Sequence, residues 1–571
     1  MIGSVFLASF MICVLPTRDQ FRRKSDATKM NIILLETAST RLREMPYDDM
    51  RSWIAKLDEE NQLARITKEV DWKYEIGAIT RRSWDAYGES CPALLFENIK
   101  DFKPPNSTKL FVGSMQSYSR LALMMDLPAL GNYPSTLVSE FRSRIRKPIK
   151  PKLVSSGPCK ENKLFDNDVN INMFPMPLWN LRDGGKYLGT MHAVIVKDPD
   201  SGWVNVGCYR MMARTENLAN LSMTPGQQHI GYIYSKYVQR DEPMPVAVIV
   251  GMDPVVMFVA GAQYPAGLDE WDAAGAMRGK PIELVKCETL DLEVPATAEA
   301  VFEGTVDPRE RAIEGPFGEY SGYYGSLPAP KPVFRINCMT YRNDPIWQGT
   351  CEGYPVVEDH MMSSVLHAAH FTDLFEQHAV AGIRDVACPL GAVGYGEVIV
   401  SIKPMYEGHE DKVAAVIWSS PIAIFCAKLV IVVDEDINPW DYEQVHWSLY
   451  TRTDWGEDCK TWKEGEGGMY DPRTEPGPKK RFWNKTLIKS TRPYQWAPRA
   501  IWGTEGIEKG VPLKYPPIVR PSPDMMQKVN AQWDSYGIAP VKVHVGRNVG
   551  PFFHFWNDDV IEKIKNLKMA P

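Results

Sequence analysis

Residues 311–325 read R-A-I-E-G-P-F-G-E-Y-S-G-Y-Y-G, with Glu314 and Glu319 at either end of a Gly-Pro-Phe-Gly turn. Gly315, Pro316 and Gly318 fit poorly inside a helix or a central strand, so the two carboxylates belong to a tight, irregular loop that holds them close together. Paired carboxylates on a rigid loop suit acid/base chemistry. Two solvated glutamates on a surface turn are the plainer reading, and the flanking chain has to choose between them.

Around this loop the chain is rich in strands. Residues 190–196, 203–212, 246–251, 283–288 and 333–341 are β-branched or apolar runs bounded by Gly, Pro, Asp or Asn. With one intervening helix they predict a barrel or sandwich-like sheet. Residues 148–177, rich in Pro, Asn, Asp and Ser, mark a boundary on the upstream side. Before it, Met50, Trp53, Ile54 and Leu57 fall at helical spacing, residues 74–84 form a second amphipathic helix and residues 93–96 a strand, which predicts a small α/β unit beginning near Pro46. Downstream, helices over residues 359–377 and 410–418 alternate with strands over 397–402 and 429–433, again α/β. Residues 454–521 are loaded with Gly, Pro, Trp and charge without sustained periodicity, and are expected to wrap over other parts. Residues 523–536 read as a helix with Ser522 as N-cap and Pro523 in the first turn. The chain therefore divides into an N-terminal extension (1–45) expected to be poorly ordered, an α/β domain (46–147), a central β domain (148–358), a C-terminal α/β domain (359–520) and a terminal helix and tail (521–571).

The totals narrow the function. Of 571 residues, 44% are hydrophobic and 24% charged, the balance of an ordinary globular protein. The 65 basic and 71 acidic residues give a net charge of -6, which disfavours nucleic acid and anionic membrane as partners and leaves a small molecule as the default. Ten cysteines stand singly, without C-x2-C pairs or zinc-type spacing, and Cys287, Cys338 and Cys426 lie in apolar runs as small hydrophobes. Reduced thiols imply a reducing, cytoplasmic setting. Residues 2–16 are apolar but lack a basic flank and are too short to span a bilayer; they read as an extension, with Met30 or Met45 as alternative starts, or as a cleaved signal.

Three further segments carry chemistry. In W-V-N-V-G-C-Y-R, strict strand alternation would point Asn205 and Arg210 to opposite faces, whereas a bulge at Gly207 would turn both toward one site. In M-T-P-G-Q-Q-H-I, Thr224 is the expected N-cap and Pro225 the first helical residue, which sets Gln228 and His229 at a helix start able to receive a phosphate. Glu270 follows Pro265 and Gly267 and is expected in a loop. Asn205, His229 and Glu270 make a mixed nitrogen and oxygen set suited to manganese or magnesium rather than structural zinc. Taken singly, Arg210 would serve in a salt bridge and His229 in the core.

Taken together, these segments resemble the UbiD family of prenylated-flavin-dependent decarboxylases, which includes fungal ferulate and cinnamate decarboxylases and bacterial aryl acid decarboxylases. The resemblance runs from about Pro46 to Tyr536. It rests on D-G-G-K-Y at Asp183, N-x4-R at Asn205, P-x-Q-Q-H-I around His229, E-L-V-K-C at Glu283, V-P-A-T at Val294, E-G-P-F-G-E at Glu314, T-Y-R-N at Thr340 and V-D-E-D-I at Val433. It implies a central split β-barrel of the flavin-reductase-like kind that binds prenylated FMN, flanked by N- and C-terminal α/β units, with a terminal helix that packs on a partner in a homodimer or homohexamer. A flavin prenyltransferase would supply the cofactor. Asn205, His229 and Glu270 would hold a divalent cation, Mn2+ in the usual case, with K+ nearby. Val206, Gly207, Cys208, Tyr209, Arg210 and Gln228 would join them along the flavin, and Arg210, Glu314 and Glu319 would form the catalytic network. The family implies non-oxidative, reversible decarboxylation of an aromatic or heteroaromatic acid, with acrylic acids as the competing substrates and a non-catalytic subunit as the reading from another class. Two departures bear on detail. Pro421 stands near the place of a phosphate-binding lysine, for which Lys428 is the available substitute. Tyr320, His360 and Ser363 are polar where cinnamate-type enzymes are apolar, and are the expected substrate-pocket residues, with capping or packing of its own helix the equal reading for His360.

Overall fold

A computed structural model of the chain describes residues 45–128, 133–223, 228–265, 267–424, 426–468, 470–473, 482–492 and 521–538, with Val519 and Glu562. The apolar run at residues 2–16 and Met30 lie outside the described residues.

The N-terminal helix α1 (Met50–Glu59) starts where Asp49 accepts from the Ser52 N–H while the Ser52 hydroxyl accepts from the Asp49 N–H, a reciprocal cap. Met50, Trp53, Ile54 and Leu57, one face of 3.6-residue spacing, are its buried residues. Strand β1 (Leu63–Ile66), helix α2 (Glu75–Tyr87) and strands β2 (Ala93–Phe96) and β3 (Lys109–Val112) follow. The sheet runs β1-β2-β3 and is completed by β13 (Ile346–Gln348), a strand that arrives only after the central sheet has been built. Trp347 on β13 is 2% exposed, and its ring lies 4.7 Å from Phe174 and 6.1 Å from Phe302, so it joins the N-terminal sheet to the central core.

The central sheet has nine strands: β4 (Asn162–Phe165), β5 (Tyr187–Gly189), β6 (His192–Lys197), β7 (Val204–Gly207), β8 (Met211–Ala213), β9 (Leu218–Leu221), β10 (Met244–Val250), β11 (Ala300–Glu314) and β12 (Ala329–Tyr341). Its path is β5-β8-β9-β12-β11-β10-β6-β7, with β4 beside β12, and it curls into a half-barrel. Residues 203–212 are two strands rather than one: β7 stops at Gly207 and β8 resumes at Met211. Three helices accompany the sheet where one was expected: α5 (His229–Arg240), α6 (Pro254–Ala260) and α7 (Glu270–Arg278). Helix α5 begins at His229, with Gln228 extended at its N-cap; Thr224 and Pro225 lie outside the described residues. Glu270 is not in a loop but opens α7, because the Asp269 carboxylate accepts from the Trp271 N–H and starts the helix one residue earlier.

Strand β11 is the long element that the sequence patterning did not single out. It shifts register at Glu303/Gly304 and again before Arg311, so its apolar residues do not alternate over the whole length. A Cβ at Gly304 would meet the Arg335 carbonyl oxygen at 1.9 Å, which reserves the bulge for glycine. Glu314 ends the strand opposite Ala329, and the Gly-Pro-Phe-Gly turn opens the connection to β12.

Beyond β13, helix α8 (Glu358–Gln377) leads into a sheet ordered β14-β15-β16-β18-β17: β14 (Ile383–Ala387), β15 (Glu397–Ile402), β16 (Leu429–Asp434), β17 (Cys459–Glu466) and β18 (Phe482–Ser490). Helices α9 (His409–Trp418) and α10 (Tyr442–Arg452) pack with it. The last two strands fall where no periodicity was found; Gly, Lys and Trp residues mask their alternation, in β17 at the sheet edge and in β18 beside it. Helix α11 (Pro523–Ala531) carries the Ser522 cap and buries none of its residues. Cys287, Cys338 and Cys426 are buried and, among the described residues, no disulfide forms. No described helix is long and apolar enough to cross a membrane.

Because Trp347 bridges two layers, Trp347→Ala is expected to cost about 3–5 kcal/mol of stability. Denaturant unfolding of the full chain measures this, and an unchanged midpoint would show that the bridge carries no stability.

Candidate active site

Glu314 and Glu319 owe their positions to the sheet and to the D-G-G-K-Y segment. The turn after β11 is tied by the Glu319 N–H to the Tyr323 carbonyl at 2.9 Å and by the Gly322 N–H to the Glu319 carbonyl at 2.9 Å. Asp183 accepts from the Gly318 N–H at 3.0 Å and from the Asn180 N–H at 2.9 Å, and the Gly184 N–H donates to the Pro316 carbonyl at 2.8 Å. Burial pushes the Asp183 carboxyl up to about 7, against those backbone donors. Tyr187 packs its ring 4.5 Å from Phe317 and donates its hydroxyl to Glu314 Oε1 at 2.8 Å. Sequence reasoning noted this segment only as a motif; its work is to hold the acidic loop.

Arg210 lies between the two carboxylates. Its Nε and Nη2 donate to Glu314 Oε1 and Oε2, each at 3.0 Å, as a two-pronged fork, and its Nη1 donates to Glu319 Oε1. The guanidinium also sits 5.0 Å from the Phe317 ring centre and 5.9 Å from that of Tyr470. The carboxylates are unequal. Burial would raise Glu314, but the charge and fork of Arg210 and the Tyr187 hydroxyl outweigh it and hold Glu314 below the usual carboxylate range. Burial raises Glu319, Arg210 only partly offsets this, and the neighbouring Glu314 charge adds to the rise. One carboxylate is thus a fixed anion and the other an acid able to keep a proton.

The break at Gly207 turns Asn205 and Arg210 into a single cavity, as the sequence reading required. It does so by ending the strand: a Cβ on Gly207 would meet the Tyr209 hydroxyl at 2.7 Å and its ring at 2.8 Å. Asn205 Nδ2 donates to Glu270 Oε1 at 2.9 Å and Asn205 Oδ1 accepts from the Tyr209 hydroxyl at 2.9 Å. Glu270 Oε2 is enclosed and has no donor among the described residues, and burial pushes this carboxyl up to about 7. An orphaned carboxylate oxygen beside an amide, in a cavity also lined by the half-buried His229, whose ring meets Trp203 edge-on at 5.0 Å, fits a divalent cation. Among the described residues no group of three or more His, Cys, Asp or Glu side chains is placed to hold a metal ion, which leaves this mixed set as the candidate.

The cavity measures about 790 Å³. It brings together Asn205, Val206, Gly207, Cys208, Tyr209, Arg210, Gln228, His229, Glu270, Glu319, Tyr320 and Ser363. Cys208, the exposed cysteine of β7's trailing loop, opens into it. Glu314 stands behind Arg210, outside the lining. Helix α8 supplies one face through Asp359, Met362, Ser363, Leu366, His367 and His370, residues three or four apart. His370 Nε2 meets Ser420 Oγ at 2.8 Å, and Tyr470 arrives from the chain beyond β17; sequence reasoning assigned none of these three a role in the site.

Two expected residues fall elsewhere. His360 is fully buried and outside the cavity lining: its Nδ1 accepts from the Val357 N–H at 3.1 Å and its Nε2 reaches the Tyr320 carbonyl at 2.7 Å. It caps its own helix and steadies the acidic loop, because an unpaired backbone N–H at a buried helix start is costly. Lys428 is also outside the lining; it pairs with Asp471 and lies 5.4 Å over the Trp483 ring, so its charge is already answered. Tyr320 stacks at 4.5 Å on Tyr395 within the cavity wall.

A curled central sheet between two α/β units, with an arginine clamped by two unequal carboxylates in one cavity, defines a UbiD-type carboxy-lyase. The sequence matches the three family descriptions of 3-octaprenyl-4-hydroxybenzoate carboxy-lyase: the N-terminal domain over residues 54–136, the Rift-related domain over 152–355 and the C-terminal domain over 360–489. The chain belongs to the UbiD family of decarboxylases. It is 32% identical over 417 residues to the pyrrole-2-carboxylic acid decarboxylase of Pseudomonas aeruginosa, an overlap of 71% of this chain and 83% of that protein. Among solved structures it is similar to vanillic acid decarboxylase of Sedimentibacter hydroxybenzoicus, at TM-score 0.74 and 28% identity over 86% of this chain and all of that one. It is also similar to an evolved dimeric form of HmfF from Pelotomaculum thermopropionicum in complex with prFMN, at TM-score 0.67 and 28% identity over 81% of this chain and 99% of that chain.

The adjacent glycines of D-G-G-K-Y separate loop support from mere tolerance. A Cβ on Gly184 would lie 2.1 Å from the Gly315 carbonyl oxygen, whereas one on Gly185 would meet Met212 at an ordinary 3.5 Å. Gly184→Ala is expected to lose activity and about 1–3 kcal/mol of stability, while Gly185→Ala stays near wild type. Thermal melts with turnover assays check both, and equal behaviour of the pair would refute the buttress.

Proposed function

We propose that the protein is a non-oxidative, in principle reversible decarboxylase of an aromatic or heteroaromatic carboxylic acid, with phenolic acids favoured, that uses prenylated FMN and a divalent cation such as Mn2+, with K+ as a possible companion ion. The observation that carries this reading is the inequality of the two carboxylates around Arg210 in a cavity that also holds an orphaned metal-type oxygen. The names of the pyrrole, vanillic acid and prFMN-bound relatives support the aryl substrate and the flavin.

Asn205, His229 and Glu270 would hold the cation, and Gln228 with the start of α5 would face the cofactor phosphate, where helix N–H groups favour an anion. The bound prenylated flavin supplies the electron sink for the pair released when the bond to the carboxyl carbon breaks. Glu314 keeps Arg210 charged and oriented, and Arg210 steers the substrate carboxylate into the cavity. As CO2 leaves, Glu319 delivers its proton to the ring carbon and is reloaded from solvent before the next turnover. Burial raises the Glu319 carboxyl and so favours its protonated form relative to an ordinary glutamate. Run backwards at high CO2, the same groups take a ring proton and carboxylate the product. The paired Arg210 and the complete Asn205, His229, Glu270 set give no support to a non-catalytic subunit. The enzyme would work as a homodimer or homohexamer loaded by a flavin prenyltransferase.

Glu319→Gln, purified after co-expression with a flavin prenyltransferase, is expected to keep its flavin absorbance and lose about 10²–10⁴-fold in kcat. Because the protonated form is the donor, wild-type kcat for decarboxylation should fall as pH rises through a value above the ordinary carboxylate range. Normal turnover by the variant, or no CO2 release from any aryl acid by the flavin-loaded wild type, would remove the proposal.

A further inference from the structure

The half of the cavity beside Glu319 contains two carboxyl groups that the mechanism above does not use. Glu352 and Asp359 both line it, close to Tyr320, Tyr395 and Ser363. Glu352 Oε2 and Asp359 Oδ1 are enclosed, and neither has a donor among the described residues. His360 cannot answer Asp359: it stands 3.7 Å away, its Nδ1 already accepts from Val357 N–H, and its Nε2–H is therefore directed to the Tyr320 carbonyl at 2.7 Å. The two carboxyl groups meet each other instead, side chain to side chain. Burial first, and then the Asp359 charge, hold Glu352 far above the usual carboxylate range, and its side chain is directed to Asp359.

A proton favoured on Glu352 and directed to Asp359 is spent within the pair. What remains toward the cavity is a net negative charge with acceptor lone pairs. A bare hydrocarbon ring or an ether oxygen would leave those acceptors unanswered, and a second substrate carboxylate would be repelled. A ring N–H or O–H would answer them. Resting on the aryl acid decarboxylase reading above, we infer that Glu352 and Asp359 form the specificity element of this enzyme, accepting a hydrogen bond from an N–H or O–H on the ring of the acid and excluding rings that lack a donor or carry a second carboxylate. The same anionic pair also faces Glu319 and helps keep that proton in place.

The test compares isosteric substrate pairs with flavin-loaded wild type, Asp359→Asn and Glu352→Gln: pyrrole-2-carboxylate against furan-2-carboxylate, and 4-hydroxybenzoate against 4-fluorobenzoate. Wild type is expected to favour the donor-bearing member of at least one pair by about 10- to 100-fold in kcat/KM, mostly through KM, and both variants to collapse that ratio toward unity. A merely structural role would slow both members equally and leave the ratio intact. Each near-isosteric variant is checked by its flavin spectrum, and the neutral product pyrrole or phenol, used as a competitive inhibitor, should bind more weakly to both. Wild-type turnover without preference for a donor, or a preference that survives in both variants, overturns the inference while leaving the decarboxylase reading in place. Failure of wild type to decarboxylate either member of either pair, or any other aryl acid, overturns both.

Discussion

A guanidinium taken out of water has to be answered, and Arg210 is answered by two carboxyl groups, of which Glu314 is the one held as an anion. Moving an ion pair into a buried site costs several kcal/mol per ion in lost hydration, and the mutual attraction returns this only with good geometry. Such a cluster is a poor way to gain stability. Its value lies in the asymmetry it imposes: the bidentate fork goes to Glu314, a single contact to Glu319, and the Tyr187 hydroxyl adds its weight to Glu314 alone. The same cation therefore depresses one carboxyl and fails to depress the other.

That asymmetry depends on parts of the chain that are far apart. Strand β11 delivers Glu314 at its last position, and a bulge reserved for Gly304 sets the register by which it does so. Asp183 and Gly184 fix the turn from below through backbone hydrogen bonds too close for a side chain to intervene. The end of β7 at Gly207 swings Arg210 under the turn, and α8 closes the opposite wall. Backbone approach, more than side-chain packing, governs the loop, which is why glycines recur on both sides of it.

Much of this was legible in the residues. Helix α1 and strand β2 follow their apolar spacing, strand β15 its apolar run, and the order of chemistry-bearing segments brought Asn205, Arg210, His229, Glu270, Glu314 and Glu319 forward as one set. Local reasoning failed where a backbone group competed for a side chain. His360 read equally as a pocket residue or as a cap of its own helix, and two backbone partners that claim both of its nitrogens decide for the cap. Lys428 looked like a phosphate anchor because it is the nearest cation in the chain, yet Asp471 takes it. Glu270 was placed in a loop by Pro265 and Gly267, although Asp269 next to it already carried the capping signal. Strands β17 and β18 were missed because Gly, Lys and Trp interrupt their apolar alternation, although only β17 lies at the sheet edge.

The sequence by itself determined the inventory: a mildly acidic, reduced, multidomain α/β chain, a glycine-bounded pair of carboxylates, a mixed metal-type ligand set and, through its motifs, the family. Only the tertiary structure decided how those groups differ from one another. Which glutamate is pushed toward the anion and which toward the acid depends on whose prongs Arg210 offers and how much water remains. Whether Glu352 and Asp359 stand apart or act on each other depends on their meeting in one cavity. Distance and desolvation set these properties, and neither is written in the order of residues along a chain.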